Sequence, residues 1–487
     1  MRRAAFAGVV ALAGCMVGPD YHRPEVPVPA AFRYEPKAVA QAPDAEWWKA
    51  FGDPVLDGYI VEALEHNKNL QVAVANVEQA AGILTTTRSP LFPQVSYQGT
   101  GTRQRFSEQG TVPVAGRFIE NPQTTYQVLA GASWELDLWG RIRRLTESAR
   151  ANVLATDDAR RGVVLSLVAS VATTYLQLLG LDEQLAVAQR TLDTYGQSVK
   201  LYELQNKYGQ VSKMQVEQAR SQYETAAAQI PAIKSQIVQT ENALAVLLGR
   251  NPGPIARGKK LEALALPAVP PGLPSALLER RPDLMQAEQT LIAANAQIGA
   301  AKAQYFPTIS LTGALGSAST QLNDLFKGPA GIWSYGGSIL GPIFTGGAIA
   351  GQVAQAEAQQ KAALANYELA IQNAFADVEN ALAANANLAD QLVAQQRLVR
   401  ALSEYARLAR LQFNGGYTSY TTVLQAEQQL FPSELNLATI RAQLYGSLVN
   451  IYKSLGGGWV GKADGFAPQP DVGALPERAS ASAQAHD

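Results

Sequence analysis

Two hydrophobic periods alternate along this chain. From Tyr126 every second residue is apolar or small: Tyr126, Val128, Ala130, Ala132, Trp134, Leu136 and Leu138. Gln127, Gly131, Ser133, Glu135 and Asp137 fall between them. Period two, with one apolar and one polar face, predicts a β-strand. Gln94–Phe106 predicts a weaker partner strand. A second pair follows, where Ile309, Leu311 and Leu315 alternate, then Trp333, Tyr335, Ile339 and Ile343. The pattern turns Tyr126, Val128, Trp134 and Leu136 outward and Glu135 and Asp137 toward water. Aromatics near the strand ends suit a membrane interface, though a soluble two-sheet structure carries the same alternation.

Elsewhere the period is helical. Asp57 to Arg88 predicts a helix on Ile60, Leu64, Leu70, Val74 and Val77, ended by Pro90 and Pro93. No proline occurs from Gly140 to Asn206, nor from Gly346 to Asn414. Helices of that length run roughly 100 Å, whereas a compact domain is about 30 Å across. They therefore need neighbours of their own length, as in a coiled coil or helical barrel. Val163–Leu181 is apolar enough to suggest a transmembrane helix. Ser166, Ser170, Thr173, Thr174 and Gln177 give it a polar stripe, and Asp377 and Glu379 occupy the corresponding place further on. Both segments are read as bundle helices.

Part of the chain occurs twice. Leu204–Gly249 recurs 207 residues later as Leu411–Gly456, with Gly209 on Gly416 and Ser212 on Ser419. Upstream, Phe92–Pro93 and Gly99 recur 214 residues later as Phe306–Pro307 and Gly313. Ungapped matches in one order predict two copies of one unit. Within each copy a helix reaches a glycine, which accepts the positive φ that ends it. Ser212 and Ser419 then stand where a returning helix needs its cap. Each copy is thus a helix, a tight turn and a returning helix.

The formal net charge of −1 over 487 residues argues against a nucleic-acid partner. The 3 histidines, His22, His66 and His486, are scattered, and the single cysteine is Cys15. No metal cluster, phosphate loop, dinucleotide fingerprint or catalytic constellation emerges. The expectation is a protein that is not an enzyme and holds no metal. Residues 1–14 read as a signal peptide, with Arg2–Arg3 before a short apolar run. Residues 15–56 are a proline-rich extended segment. Residues 57–250 form the first repeat, 251–276 the connector and 277–458 the second repeat. Residues 459–487, rich in Ala, Ser, Pro and Gly, are expected to be disordered.

Leu12-Ala-Gly-Cys15 resembles a bacterial lipobox, in which the cysteine becomes the lipidated first residue. Gly18-Pro-Asp-Tyr-x-Arg-Pro24 follows, then Trp47-Trp-x-x-Phe-x-Asp-Pro-x-Leu56, and at the far end Leu455-Gly-Gly-Gly-Trp459. These motifs resemble the lipoprotein branch of TolC-like outer-membrane factors, OprM- and NodT-type, over about residues 15–460. The resemblance implies a mainly α protein with a membrane β-barrel part. Each chain would supply four transmembrane strands and long periplasmic helices, closing as a trimer with twelve strands and an α-helical barrel. Geometry agrees in part: an open sheet edge cannot sit in lipid, and four strands are too few to close alone.

By the resemblance the chain is a passive exit duct of an efflux pump in the cell outer membrane. Its partners would be two further copies, a periplasmic adaptor (a membrane fusion protein) and an inner-membrane RND-type transporter. Cys15 would carry N-acyl and S-diacylglycerol lipid; Met16 after it favours sorting to the outer membrane. The tips around Gly209, Val211, Ser212, Gly416, Thr418 and Ser419 would meet the adaptor. The periplasmic mouth would be lined by Thr421, Thr422 and Gln425, with glutamine where many members carry an aspartate. Glu217 and Glu427 are the nearby acids that could line it instead. A type I protein-secretion duct and a lipid-anchored coiled-coil scaffold without a pore remain alternatives.

Overall fold

The computed structural model describes residues 16–29, 31–34, 46–107, 121–267, 277–456 and 460–478. The main elements are α1 (Pro54–His66), α2 (Lys68–Arg88), β1 (Gln94–Gln104), β2 (Gln123–Leu136), α3 (Arg141–Lys207) and α4 (Lys213–Leu247). The second half adds α5 (Pro282–Lys302), β3 (Thr308–Ser319), β4 (Gly331–Leu340), α6 (Ala348–Asn414) and α7 (Tyr420–Ser454). Three pairs of helices repeat with equal length, whereas α1 has 13 residues and the helix that stands before α5, Leu277–Arg280, has 4. Both α2 and α5 have 21 residues, both α3 and α6 have 67, and both α4 and α7 have 35.

The strands form one antiparallel sheet in the order β1-β2-β3-β4. β1 and β4 are its edges, and both are exposed almost throughout. The helices continue this order as a layer. Nearest the sheet, α2 packs on α3, α3 on α5 and α5 on α6. Further away α4 packs on α3, α3 on α7 and α7 on α6. The chain is therefore a curtain of four elements at every level, with free edges on both sides.

Heptads explain the long contacts. On α4, Val216, Ala219, Tyr223, Ala226, Ile230 and Ile233 recur three and four apart and turn inward on α3. Their side chains stack along one seam of a coiled coil. The apolar stretch of α3 that could cross a membrane is 61% buried against the chain's own helices. Ser166, Ser170, Thr173 and Thr174 are half-buried along it.

A belt girdles the helices at mid-height. Trp47, Trp48 and Phe51 are buried in the main core, Trp47 stacked on Tyr452 with ring centroids 5.0 Å apart. Asp53, fully buried, accepts hydrogen bonds from Val55 N at 3.0 Å, Tyr175 Oη at 2.8 Å and Lys259 N at 3.1 Å. One carboxylate so joins the extended segment, the long helix and the connector.

Four expectations need correction. The helix expected over Asp57–Arg88 begins at Pro54 and breaks at Asn67. Asn67 Oδ1 caps α2 by accepting from Leu70 N, and its amide donates to Leu247 O, so this break docks on the end of α4. The tail is not disordered over its described length. Val460–Asp464 is a short helix; Asp464 pairs with Arg160, Arg478 pairs with Asp158, and Val460, Ala463 and Ala467 are buried in the core. Residues 479–487 lie outside the described residues.

Asp137 does not face open water, because it sits past the end of β2 with its side chain 8% exposed. Its oxygens accept from Ile142 N and Arg143 N at 2.9 Å, satisfying the first free donors of α3. Glu135 pairs with Arg141 at 2.9 Å. Trp134 lies half-buried, its indole donating to Leu91 O. Finally, Ile343 lies beyond β4, which stops at Leu340 before Gly341–Pro342.

Candidate functional site: the hairpin tips

The tips lie at the ends of the two hairpins, α3–α4 and α6–α7. Gly209 has φ 71° and Gly416 φ 76°, and a side chain on either would meet only open space. Around Gly209 the amides of Gly209 and Gln210 return to the carbonyls of Asn206 and Gln205 at 2.9 Å. Around Gly416 the amides of Gly416 and Tyr417 return to Phe413 and Gln412 at 3.0 and 2.9 Å. Both are Schellman closures, which need a left-handed residue that glycine supplies without strain.

The returning helices begin differently. Ser212 accepts from Gln215 N while the Gln215 side chain accepts from Ser212 N, a complete capping box. Ser419 holds the equivalent position, but its side chain makes no capping bond. There Thr418 and Thr422 share a hydroxyl hydrogen bond at 2.9 Å. Thr421 and Gln425 are exposed on α7, and Thr422 is half-buried. Gly209, Ser212, Gly416 and Ser419 are exposed; Val211 and Thr418 are half-buried.

The acids nearby are engaged. Glu217 is exposed and accepts from Arg220 at 3.3 Å. Glu427 is 6% exposed and pairs with Arg410. Burial pushes its carboxyl above the ordinary carboxylate range, against the pull of Arg410. Its backbone carbonyl accepts from Tyr195 Oη on α3 at 3.2 Å.

Several residues that organise the tips carried no role in the sequence reading. Tyr202, Phe413 and Tyr420 form an aromatic cluster that joins α3, α6 and α7, with Tyr202 and Tyr420 centroids 4.2 Å apart. Burial pushes the Tyr420 phenol up to about 12. Beside it a groove of about 600 Å³ is lined by Arg190, Thr194, Arg407, Arg410, Glu427 and Glu434. Tyr208, Met214 and Tyr417 stand out exposed around the turns. Superposing the copies would have shown one further signal. Glu203 pairs with Arg220 at 2.7 Å, and 207 residues later the same positions are Arg410 and Glu427. The same rung ties both hairpins, with its charges exchanged.

Cys15 lies outside the described residues. Two residues on, Val17 N donates to Trp139 O at 3.1 Å, and the Trp139 indole donates to Pro307 O at 2.8 Å. The segment is thus held where strands pass into helices. Gly18, at φ 106°, passes so close to α5 that a Cβ there would lie 2.3 Å from Gly299 Cα. Arg144, its side chain 2% exposed, reaches Asp20 at 2.7 Å beside it.

Among the described residues no group of three or more His, Cys, Asp or Glu side chains could hold a metal ion. A scaffold of coiled coils alone would have no strands; the four-stranded sheet sets that alternative aside.

Comparison with known proteins follows the same outline. The model of the family described as outer membrane efflux protein matches two segments, residues 59–250 and 273–457. The toluene efflux pump outer membrane protein TtgC of Pseudomonas putida is 38% identical over 459 residues, covering 92% of this chain and 93% of that protein. The cation efflux system protein CusC of Escherichia coli is 36% identical over 461 residues, covering 93% and 98%. The open state of the MtrE outer membrane channel of Neisseria gonorrhoeae superposes with a TM-score of 0.82 at 34% identity, covering 91% of this chain and 99% of that one.

Proposed function

The chain belongs to the outer membrane efflux protein family, and on that premise we propose that it is the passive exit duct of a tripartite efflux pump. Three copies close the duct. A periplasmic adaptor meets the tips, and an inner-membrane RND-type transporter supplies energy and selects the cargo of small toxic compounds or antibiotics. The observation that carries this is the open curtain. β1 and β4 run in opposite directions, so β1 of one copy can pair antiparallel with β4 of the next. Closing the sheet this way also brings the helix edges together and encloses a lumen. Relatives of similar identity are named for toluene and for cations, which agrees with a duct that does not choose its cargo.

In this reading Cys15 carries N-acyl and S-diacylglycerol lipid. Cys15→Ser protein should take up no radioactive palmitate; retained label would refute the assignment. The mouth closes through neutral Thr421, Thr422 and Gln425 rather than an acidic ring. Hydrogen bonds of about 1 kcal/mol net each hold it, and no carboxylates concentrate cations there. The burial of Glu427 against Arg410 supports this, since that acid is not free to line the mouth.

Purified protein in a planar bilayer tests both statements. It should show single-channel steps with little block by trivalent cations on the periplasmic side, and Gln425→Asp should create block. Absence of steps would refute the duct; strong block of the unmodified channel would refute the neutral mouth. Thr418→Trp should abolish drug resistance in cells while the bilayer steps persist. Unchanged resistance would remove Thr418 from the adaptor contact.

A further inference from the structure

The two repeats make a contact inside the chain that they leave unmade at its edges. Shifting α3 by 207 residues gives α6, and shifting α7 back by 207 gives α4. Helices α3 and α7 pack together. Their shifted counterparts α6 and α4 stand at opposite edges of the curtain, apart from one another.

The rows that pack show it. On α3, Gln184, Val187, Thr191, Thr194 and Ser198 recur three and four apart and are buried or half-buried. Thr191 and Thr194 line one groove with Glu427, Phe431 and Glu434 of α7, and Gln184 donates to Thr439 of α7 at 3.3 Å. The shifted row on α6 is Gln391, Ala394, Leu398, Ala401 and Tyr405, and every member is exposed. On α7 the facing row is Leu424, Glu427, Phe431, Glu434, Ala438 and Arg441, again buried or half-buried. Its shifted row on α4 is Glu217, Arg220, Glu224, Ala227, Pro231 and Lys234, exposed except for half-buried Ala227. Each edge thus presents a helix face that no helix covers among the described residues.

One ion pair sets the register. Glu183 on α3 pairs with Arg441 on α7, their side chains 23% and 16% exposed. The shift turns Glu183 into Asp390 and Arg441 into Lys234, keeping the sign at both ends. Asp390 and Lys234 are exposed, and neither makes an ion pair among the described residues. We propose that Asp390 of one copy pairs with Lys234 of the next, so that α6 and α4 of neighbouring copies repeat the α3–α7 contact. This rests on the proposed homotrimer and adds its helix register. The strands follow the same rule. β2 shifted by 207 is β4 and β3 shifted back by 214 is β1, so the Gly131–Ala314 pairing becomes Ser338 opposite Thr100 of the neighbour.

Zero-length carbodiimide coupling on the intact protein in outer membranes tests the register, because it joins only a carboxylate and an amine already in contact. The Lys302–Glu357 pair, at 3.0 Å within one chain, is the internal control. The expected product is an oligomer ladder on a denaturing gel, with a peptide joining Asp390 to Lys234. Lys234→Arg keeps the charge but not the amine, and should remove that peptide while the native oligomer remains. Asp390→Lys and Lys234→Asp should each lower the temperature at which the oligomer dissociates, and the double exchange should restore it. A native-sized oligomer that couples Lys302–Glu357 but never Asp390–Lys234 would overturn the register and leave the homotrimer standing. A native size of one chain would overturn both.

Discussion

Asp53→Ala should loosen the belt that holds the helices at mid-height. The carboxylate is fully buried and takes three donors, Val55 N, Tyr175 Oη and Lys259 N, at 2.8–3.1 Å. The first is a helix cap, worth about 1 kcal/mol. The other two are bonds to a charged acceptor, worth about 1.5–3 kcal/mol each. Their sum is about 4–7 kcal/mol, but removing the carboxylate also returns several kcal/mol of desolvation. We expect a net loss of about 2–4 kcal/mol, with Tyr175 and Lys259 left without their acceptor in a dry site.

Asp53→Asn keeps one carbonyl acceptor and should lose about half as much. Gly258→Ala removes none of the bonding groups, yet its Cβ would stand 2.1 Å from Asp53 Oδ1. It should therefore produce the same phenotype by displacing the carboxylate. Thermal unfolding followed by tryptophan fluorescence reads the effect directly, since Trp47 and Trp48 lie in the same belt. If Asp53→Ala melts like the unmodified protein while Gly258→Ala does not, the clasp has been given a role it lacks.

Val128, mid-strand opposite Gly99 and Ser317, should resist charge. Val128→Arg should cost about 2–4 kcal/mol if it faces lipid near the bilayer centre, whereas Ser133→Arg near the strand end should be tolerated; equal assembly of both variants into heat-resistant oligomers would contradict the strand facing. Glu427 sets a pH dependence at the tips. Its folded pKa lies above the ordinary 4.5, so the folded tip binds that proton more tightly than the unfolded chain. The stabilisation is complete below about 4.5 and is lost as pH rises through the raised value. Glu427→Gln should flatten this slope, measured as hydrogen-exchange protection of the α6–α7 tip relative to the unmodified protein at each pH; an unchanged slope would assign the effect to Glu434 or another group.

Much of this protein is legible from local pattern because its elements are long and regular. Period two set out the strands, and β1 ends within two residues of where the alternation fades. The proline-free runs are the 67-residue helices, and the glycine–serine pairs are the tips. Backbone twist, helix pitch and positive φ are properties of a few neighbouring residues, so short windows carry them. The break at Asn67 was hidden, because the contact that docks it, its amide on Leu247 O, comes from a residue distant in sequence. The docked tail was hidden for a related reason. Ala, Ser, Pro and Gly suggest disorder, yet Asp464 and Arg478 meet buried Arg160 and Asp158.

What only the tertiary structure decided is which faces find partners. The sequence shows the rung Glu203–Arg220 and its reversed copy Arg410–Glu427 as isolated charges. Packing leaves both partners of the first exposed, whereas in the second it buries Glu427 and raises its carboxyl while Arg410 stays exposed. Likewise the rows on α3 and α6 descend from one repeat and look alike as heptads. One is covered and the other bare, because the curtain has two edges and a repeat unit cannot encode in its own residues which neighbour it will lack.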